Sequence, residues 1–168
     1  MNSSTVSFSP LSWNVRGLGD KNKCTIVHDT LTSARSNNVC LQETKLRAID
    51  SLRARSFLPV NLDAFRCVDS NETRGGMVTA WDSTAFTLTS CIIRQHTLTT
   101  FLSSTASDYT FAVTNVYAPA DHRDSLPFLE NLEEIAGHVP GSWALAGDFN
   151  LTVGARKIAT ALPMPLSV

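Results

Sequence analysis

The chain has 168 residues, 43% of them apolar, which suffices to bury a single-domain core and argues against disorder. Fourteen basic against fifteen acidic residues leave a net charge of -1, which excludes a protein held chiefly by a broad cationic face; nucleic-acid binding would have to be local. The four cysteines, Cys24, Cys40, Cys67 and Cys91, have no CxxC spacing and no Cys/His pairing of zinc-site type, so they read as free, mostly buried thiols in a reducing compartment.

In chain order, the start MNSSTVSFSPLSWNV has neither a basic n-region nor a long apolar h-region, and no later stretch has the length to cross a bilayer. Nucleus or cytoplasm is therefore expected, rather than secretion. Val6 to Val15 reads as a strand broken near Pro10. From Lys21 to Ser36, Cys24, Val27, Leu31 and Ala34 recur at the spacing of one helical face, with Asp20 as the N-cap. Asn37 and Asn38 form a turn into a short buried strand, Val39 to Gln42. Between Thr44 and Val68 the apolar residues follow no clean period; only a helix near Ile49 to Arg55 is expected there. SNETRGG, Ser70 to Gly76, is a turn-rich loop. MVTAW, FTLTSCIIR, HTLTTFLSS and YTFAVTNVY, rich in β-branched and aromatic residues, then predict a four-stranded meander with SSTASD as one hairpin turn. Asp121 to Val139 returns to helical spacing through Leu126, Leu129, Leu132 and Ala136, until Gly137, Pro140 and Gly141 stop it. WALAGDFN is the last buried strand.

Several of these strands end alike. Asn14 follows SW, Glu43 follows LQ, Tyr117 follows NV, and Asp148 and Asn150 close LAGDFN. In α/β sheets ligands bind in the loops beyond strand ends, where a rigid strand positions a side chain that the loop leaves accessible. If strand conformation persists through GDFN, its period of two puts Asp148 and Asn150 on one face. Two carboxylates, two amides and a phenol suit a hard cation and a phosphate better than a thiol or acyl site, because magnesium takes oxygen ligands and commonly uses one or two protein carboxylates. Phosphodiester or phosphomonoester hydrolysis is the chemistry suggested. Taken singly, each residue has an ordinary alternative. Asp148 and Asn150 could bond their own backbone in Asx turns, Glu43 could be a solvated strand end, and Tyr117 could be a half-buried core aromatic. The three tryptophans, Trp13, Trp81 and Trp143, read as packing residues, and His28, His96, His122 and His138 show no ligand spacing.

Taken together and in order, SWNVRGLG, LQETK, the RGG before an apolar strand, NVYAP and GDFN resemble the endonuclease/exonuclease/phosphatase superfamily, the group of exonuclease III-like nucleases. In detail the chain looks like the endonuclease domain of plant LINE-type (non-LTR) retrotransposons, over Ser12 to about Thr152. The resemblance implies an α/β four-layer sandwich of the DNase I-like type, with much of the second sheet missing. It divides the chain into a partial domain over 1–153 and a divergent tail over 154–168. It further implies DNA as the substrate and Mg²⁺ or Mn²⁺ as the cofactor, with Glu43 as principal ligand and Asn14, Asp148 and Asn150 around the ion. Tyr117 would contact the scissile phosphate, Asp148 would orient or deprotonate the attacking water, and Asn150 would hold that water or a phosphate oxygen in line. Arg16 stands where repair-type relatives carry an acid, and the family's terminal SDH-like motif has no counterpart before Val168. Weak or absent turnover, an exposed apolar sheet face and poor solubility are therefore expected. A non-catalytic truncated remnant or a protein-interaction fragment are the competing readings.

Overall fold

The computed structural model describes residues 6–72, 74–150, 152–153 and 156–157. Of the divergent tail expected over 154–168, only Arg156–Lys157 lies among them. Strands β1 (Pro10–Asn14), β2 (Asn38–Gln42), β3 (Ala64–Val68) and β4 (Met77–Trp81) form one sheet in the order β1-β2-β4-β3. Strands β5 (Phe86–Ile93), β6 (Thr97–Ser104), β7 (Thr110–Tyr117) and β8 (Ser142–Asp148) form a second in the order β5-β6-β7-β8. A short antiparallel pair, β9 (Thr152–Val153) with β10 (Arg156–Lys157), follows. Each sheet has one parallel pair, β1 with β2 and β7 with β8, and each of those pairs is bridged by a helical crossover.

The first crossover is α1 (Lys21–Ala34). The Asp20 carboxylate caps it by accepting from Asn22 N at 2.8 Å, and Arg35, at φ 52°, ends it in the left-handed region. Cys24, Val27 and Leu31 are buried as their spacing predicts, but Ala34, the last helical residue, is exposed. A single turn, α2 (Ser51–Ala54), forms where a helix near Ile49 to Arg55 was expected, and Asp50 caps it through Arg53 N at 2.7 Å. The second crossover is a 3₁₀ turn, His122–Asp124, running into α3 (Ser125–Ala136). Here the expected buried face is corrected. Phe128 and Ile135 are buried with Leu132 partly so, while Leu126 is 65% exposed and Leu129 is also exposed. Leucines in this segment fall on two sides of the helix, and the side that carries Phe128 and Ile135 meets the sheet.

Four layers result. Residues of α1 and α2 pack with Val39, Leu41, Val78 and Ala80 on one outer face, and Phe128 of α3 packs with Val116 and Ala118 on the other. Between the sheets lie Cys40, Trp81, Phe86, Leu102, Phe111 and Val113, with β2 against β7 and β8, and β4 against β6 and β7. Phe8, Phe86 and Phe111 meet edge to face in this layer. The α/β sandwich expectation holds, and the sandwich is partial in its helical layers and strand number while keeping four strands in each sheet.

Two strand expectations are corrected. MVTAW is not the first strand of a meander: β4 is a central strand of the first sheet, fully buried between β2 and β3, and only β5, β6 and β7 run as a meander. The SSTASD turn joins β6 to β7 as expected, with Ser104 N donating to Tyr109 O at 2.8 Å. Strand β8 is half-buried along its length, unlike β2, because β7 is its one strand neighbour among the described residues. Among the same residues no helix is long and apolar enough to cross a membrane.

The cysteines divide evenly between interior and surface: Cys24 and Cys40 are buried, Cys67 is partly covered and Cys91 is exposed. Burial pushes the Cys40 thiol up to about 12, so it offers almost no thiolate at neutral pH. A thiol-reactive dye should therefore label Cys91 first in the native chain and reach Cys24 and Cys40 only after unfolding. Fast native labelling of all four would contradict this packing.

Candidate active site

The five polar residues singled out at strand ends come together at one end of the two sheets, and each is half-buried. Asn14, at the end of β1, donates its amide Nδ2 to Asp148 Oδ2 at 2.9 Å, joining the two sheets across 134 residues of sequence. Its Oδ1 accepts from Arg16 N at 3.1 Å. Tyr117 and Asp148 are direct register partners at the ends of β7 and β8. Asn150 has a left-handed backbone, φ 45°, and gives its Nδ2 to Ala118 O at 2.8 Å. The strand stops at Asp148, so Asp148 and Asn150 do not share a face through strand periodicity, as the sequence suggested. An Asx turn, Asn150 N to Asp148 Oδ1 at 3.2 Å, couples them instead.

Glu43 follows β2 and also has positive φ, 55°. Its carbonyl accepts from Gly17 N at 2.7 Å, while Thr44 N and Lys45 N donate to Gly76 O and Gly75 O at 3.2 and 2.7 Å. The Glu43 segment is thus clamped between the loop after β1 and the RGG loop before β4. The Tyr117 phenol is held above its ordinary range by burial first, then by the charges of Glu43 and Asp148 and a hydrogen bond with Glu43. It consequently stays protonated, a donor, at neutral pH.

Four residues that the sequence reading left without a site role matter to this geometry. A Cβ on Gly75 would stand 2.9 Å from Tyr117 Cε1 and 3.2 Å from Glu43 Cα and Cγ, so the loop can close on both side chains only as glycine. Gln42 and Asn115, inside the β2 and β7 runs, are fully buried and bond each other, Gln42 Nε2 to Asn115 Oδ1 at 2.8 Å. Their signal was a polar residue within an apolar strand, each one or two positions before a site residue. His96 braces Tyr117 from behind: Tyr117 N donates to His96 O, and the His96 ring Nδ1 lies 3.0 Å from Tyr117 O. The tryptophans serve packing, with Trp81 in the inter-sheet core and Trp143 donating to Thr114 Oγ1 at 2.8 Å.

The donor set fits a hard divalent ion. It offers carboxylate and amide oxygens and no sulfur, and Glu43 is the carboxylate least committed to neighbouring amides, since both oxygens of Asp148 already accept hydrogen bonds. Among the described residues no group of three or more His, Cys, Asp or Glu gathers that could hold a metal ion by itself. Arg16, Lys45 and Arg74 lie on the loops that frame the site, the local positive charge that the neutral whole does not provide.

A sequence profile described as "Endonuclease/Exonuclease/phosphatase family" matches residues 11–166. No curated protein sequence matches the chain. Solved structures similar to it include the AP endonuclease LMAP from Leishmania major, at 20% identity and TM-score 0.61, covering 84% of this chain and 54% of that one. The APE2 catalytic domain of Xenopus laevis is similar at 21% identity and TM-score 0.60, covering 84% and 58%. A humanized D. rerio TDP2 carrying 14 mutations is similar at 16% identity and TM-score 0.63, covering 87% and 67%. The chain thus spans little more than half the length of the first two.

Proposed function

Since this chain belongs to the endonuclease/exonuclease/phosphatase family, we propose that it is a divalent-metal-dependent phosphodiesterase acting on DNA, of the nicking type found in plant LINE-type retrotransposons, with weak turnover in the 168-residue form. The observation that carries the reading is the Asn14–Asp148 bond between strand ends of opposite sheets, with the Tyr117 phenol interacting with both Glu43 and Asp148 beside it. The retrotransposon assignment rests on the spellings SWNVRGLG and LQETK.

Glu43 would hold Mg²⁺ or Mn²⁺, with Asn14, Asp148 and Asn150 supplying oxygens nearby. The ion would neutralise charge on the phosphate. Tyr117, protonated, donates to a phosphate oxygen as negative charge builds there. Asp148 is fixed by Asn14 and by the Asn150 N–H, so its remaining lone pairs can orient an attacking water or take its proton. Asn150 keeps that water in line, with its amide anchored on Ala118 O. Turnover is expected to be weak because, among the described residues, no histidine side chain bonds a side chain of this group. His96 meets only the Tyr117 backbone carbonyl.

The test is conversion of supercoiled plasmid to the nicked circle in Mg²⁺. Glu43→Ala and Asp148→Ala should each slow it at least about tenfold, and chelation should stop it. Nicking that survives both substitutions would remove this site from the reaction, and a parent chain that never nicks would favour the non-catalytic remnant.

A further inference from the structure

Glu43 has a partner that the reaction above does not use. The Lys45 ammonium lies 3.2 Å from Glu43 Oε1, and the pair is lopsided, with the Lys45 side chain 60% exposed and that of Glu43 20%. The backbone arranges the meeting. Glu43 and Lys45 both have φ 55°, an uncommon conformation for residues other than glycine, on either side of the buried Thr44. Lys45 N is tied to Gly75 O, Thr44 O accepts from Leu18 N at 2.9 Å, and a Cβ on Gly17 would stand 3.4 Å from Lys45 Cδ, so the lysine stem runs close along the first loop.

A divalent ion on Glu43 needs the lone pairs that this ammonium faces, and two cations on one carboxylate repel each other. Lysine is suited to yield, because its charge rides on a flexible four-carbon stem that is 60% exposed. We infer that Lys45 is the built-in counter-cation of the site: it holds the Glu43 carboxylate in the metal-free chain and moves to a non-bridging oxygen of a DNA phosphate when a divalent ion takes that carboxylate. The inference rests on Glu43 being the metal ligand. Metal and DNA are then coupled through one side chain. Lys45 weakens metal binding to the free protein and adds a phosphate contact only once metal is present.

Mn²⁺ binding by the intact chain, followed by the electron-paramagnetic signal of the free ion, tests this directly. Lys45→Met should bind Mn²⁺ at least about threefold tighter than the parent, Lys45→Arg should stay near it, and Glu43→Gln should bind at least about tenfold weaker. In parallel, the salt dependence of binding to a labelled DNA duplex should lose about one phosphate contact, a change of ~0.9 in slope, in Lys45→Met with Mg²⁺ and none in chelator. Unchanged or weaker Mn²⁺ binding in Lys45→Met, while Glu43→Gln loses it, overturns the Lys45 inference alone. Mn²⁺ binding that survives Glu43→Gln, or that is missing from every chain, overturns the site reading with it.

Discussion

Gly147→Ala is expected to destabilise the chain by about 3–5 kcal/mol, summing overpacking and backbone strain, read as a fall in the urea midpoint with the slope unchanged. Gly147 pairs with Val116 in the parallel β7–β8 ladder, one step before the Tyr117–Asp148 pair. A Cβ there would stand 1.9 Å from Val116 O and 2.7 Å from Val116 C and N. These are backbone atoms of a fully buried residue packed with Ala118 and Phe128, so no rotamer change can relieve the contact. Its φ of 156° adds strain for any side chain. The one way out is for β8 to swing away from β7, which costs ladder bonds and draws Asp148 away from Tyr117. A loss of this size is a large share of the roughly 5–15 kcal/mol that holds a domain together. An alanine variant with the parent's midpoint would show that the two strands do not approach this closely.

The same position marks a limit of reading the sequence. Glycine at 147 acts by lacking an atom, and so does Gly75 between Tyr117 and Glu43; neither leaves a periodic or chemical trace in the chain. Side chains whose chemistry is visible were easier. Asn14, Glu43, Tyr117 and Asp148 stand where apolar runs stop, and the strand ends that hold them were legible from β-branched content and turn residues. Which strands pair was not. MVTAW and FTLTSCIIR are neighbours in sequence with equal β character, yet β4 enters the first sheet and β5 starts the second. Pairing is decided by what each face finds to cover it. For β4 the clue was that all five residues are suited to burial, as in a central strand, whereas β5 alternates. The Asn14–Asp148 bond spans almost the whole chain. No local pattern predicts it, and the ordered motifs implied only through resemblance that the two residues share a site.

Asn115→Leu is expected to cost about 2–4 kcal/mol, the scale of deleting three buried hydrogen bonds at roughly 1 kcal/mol each. Asn115 projects from β7 into the space between the sheets, where its Nδ2 donates to Leu41 O at 3.1 Å and Val78 O at 3.0 Å while its Oδ1 accepts from Gln42 Nε2. One fully buried side chain on the second sheet therefore bonds two strands of the first, β2 and β4. Leucine branches at the same carbon and is more apolar, so burial alone would predict a stabilising change, set against overpacking by its bulkier methyl groups. The sign of the measured shift thus decides which effect wins. Gln42 stays satisfied in the variant, because its Nε2 also donates to Cys40 O at 2.9 Å and Ser12 Oγ at 3.1 Å. The loss falls on the Leu41 and Val78 carbonyls, register partners in the β2–β4 ladder, which keep their ladder pairing but lose the second bond that ties them to the other sheet. For a chain of this length about 3 kcal/mol is a drop in Tm of roughly 6–12 °C. Because β7 ends in Tyr117 and β2 leads into Glu43, slackening this clamp also frees the two sheets to slide where the site needs them fixed. A leucine variant melting at or above the parent would mean that shape, and not this hydrogen-bonded bridge, sets the register between them.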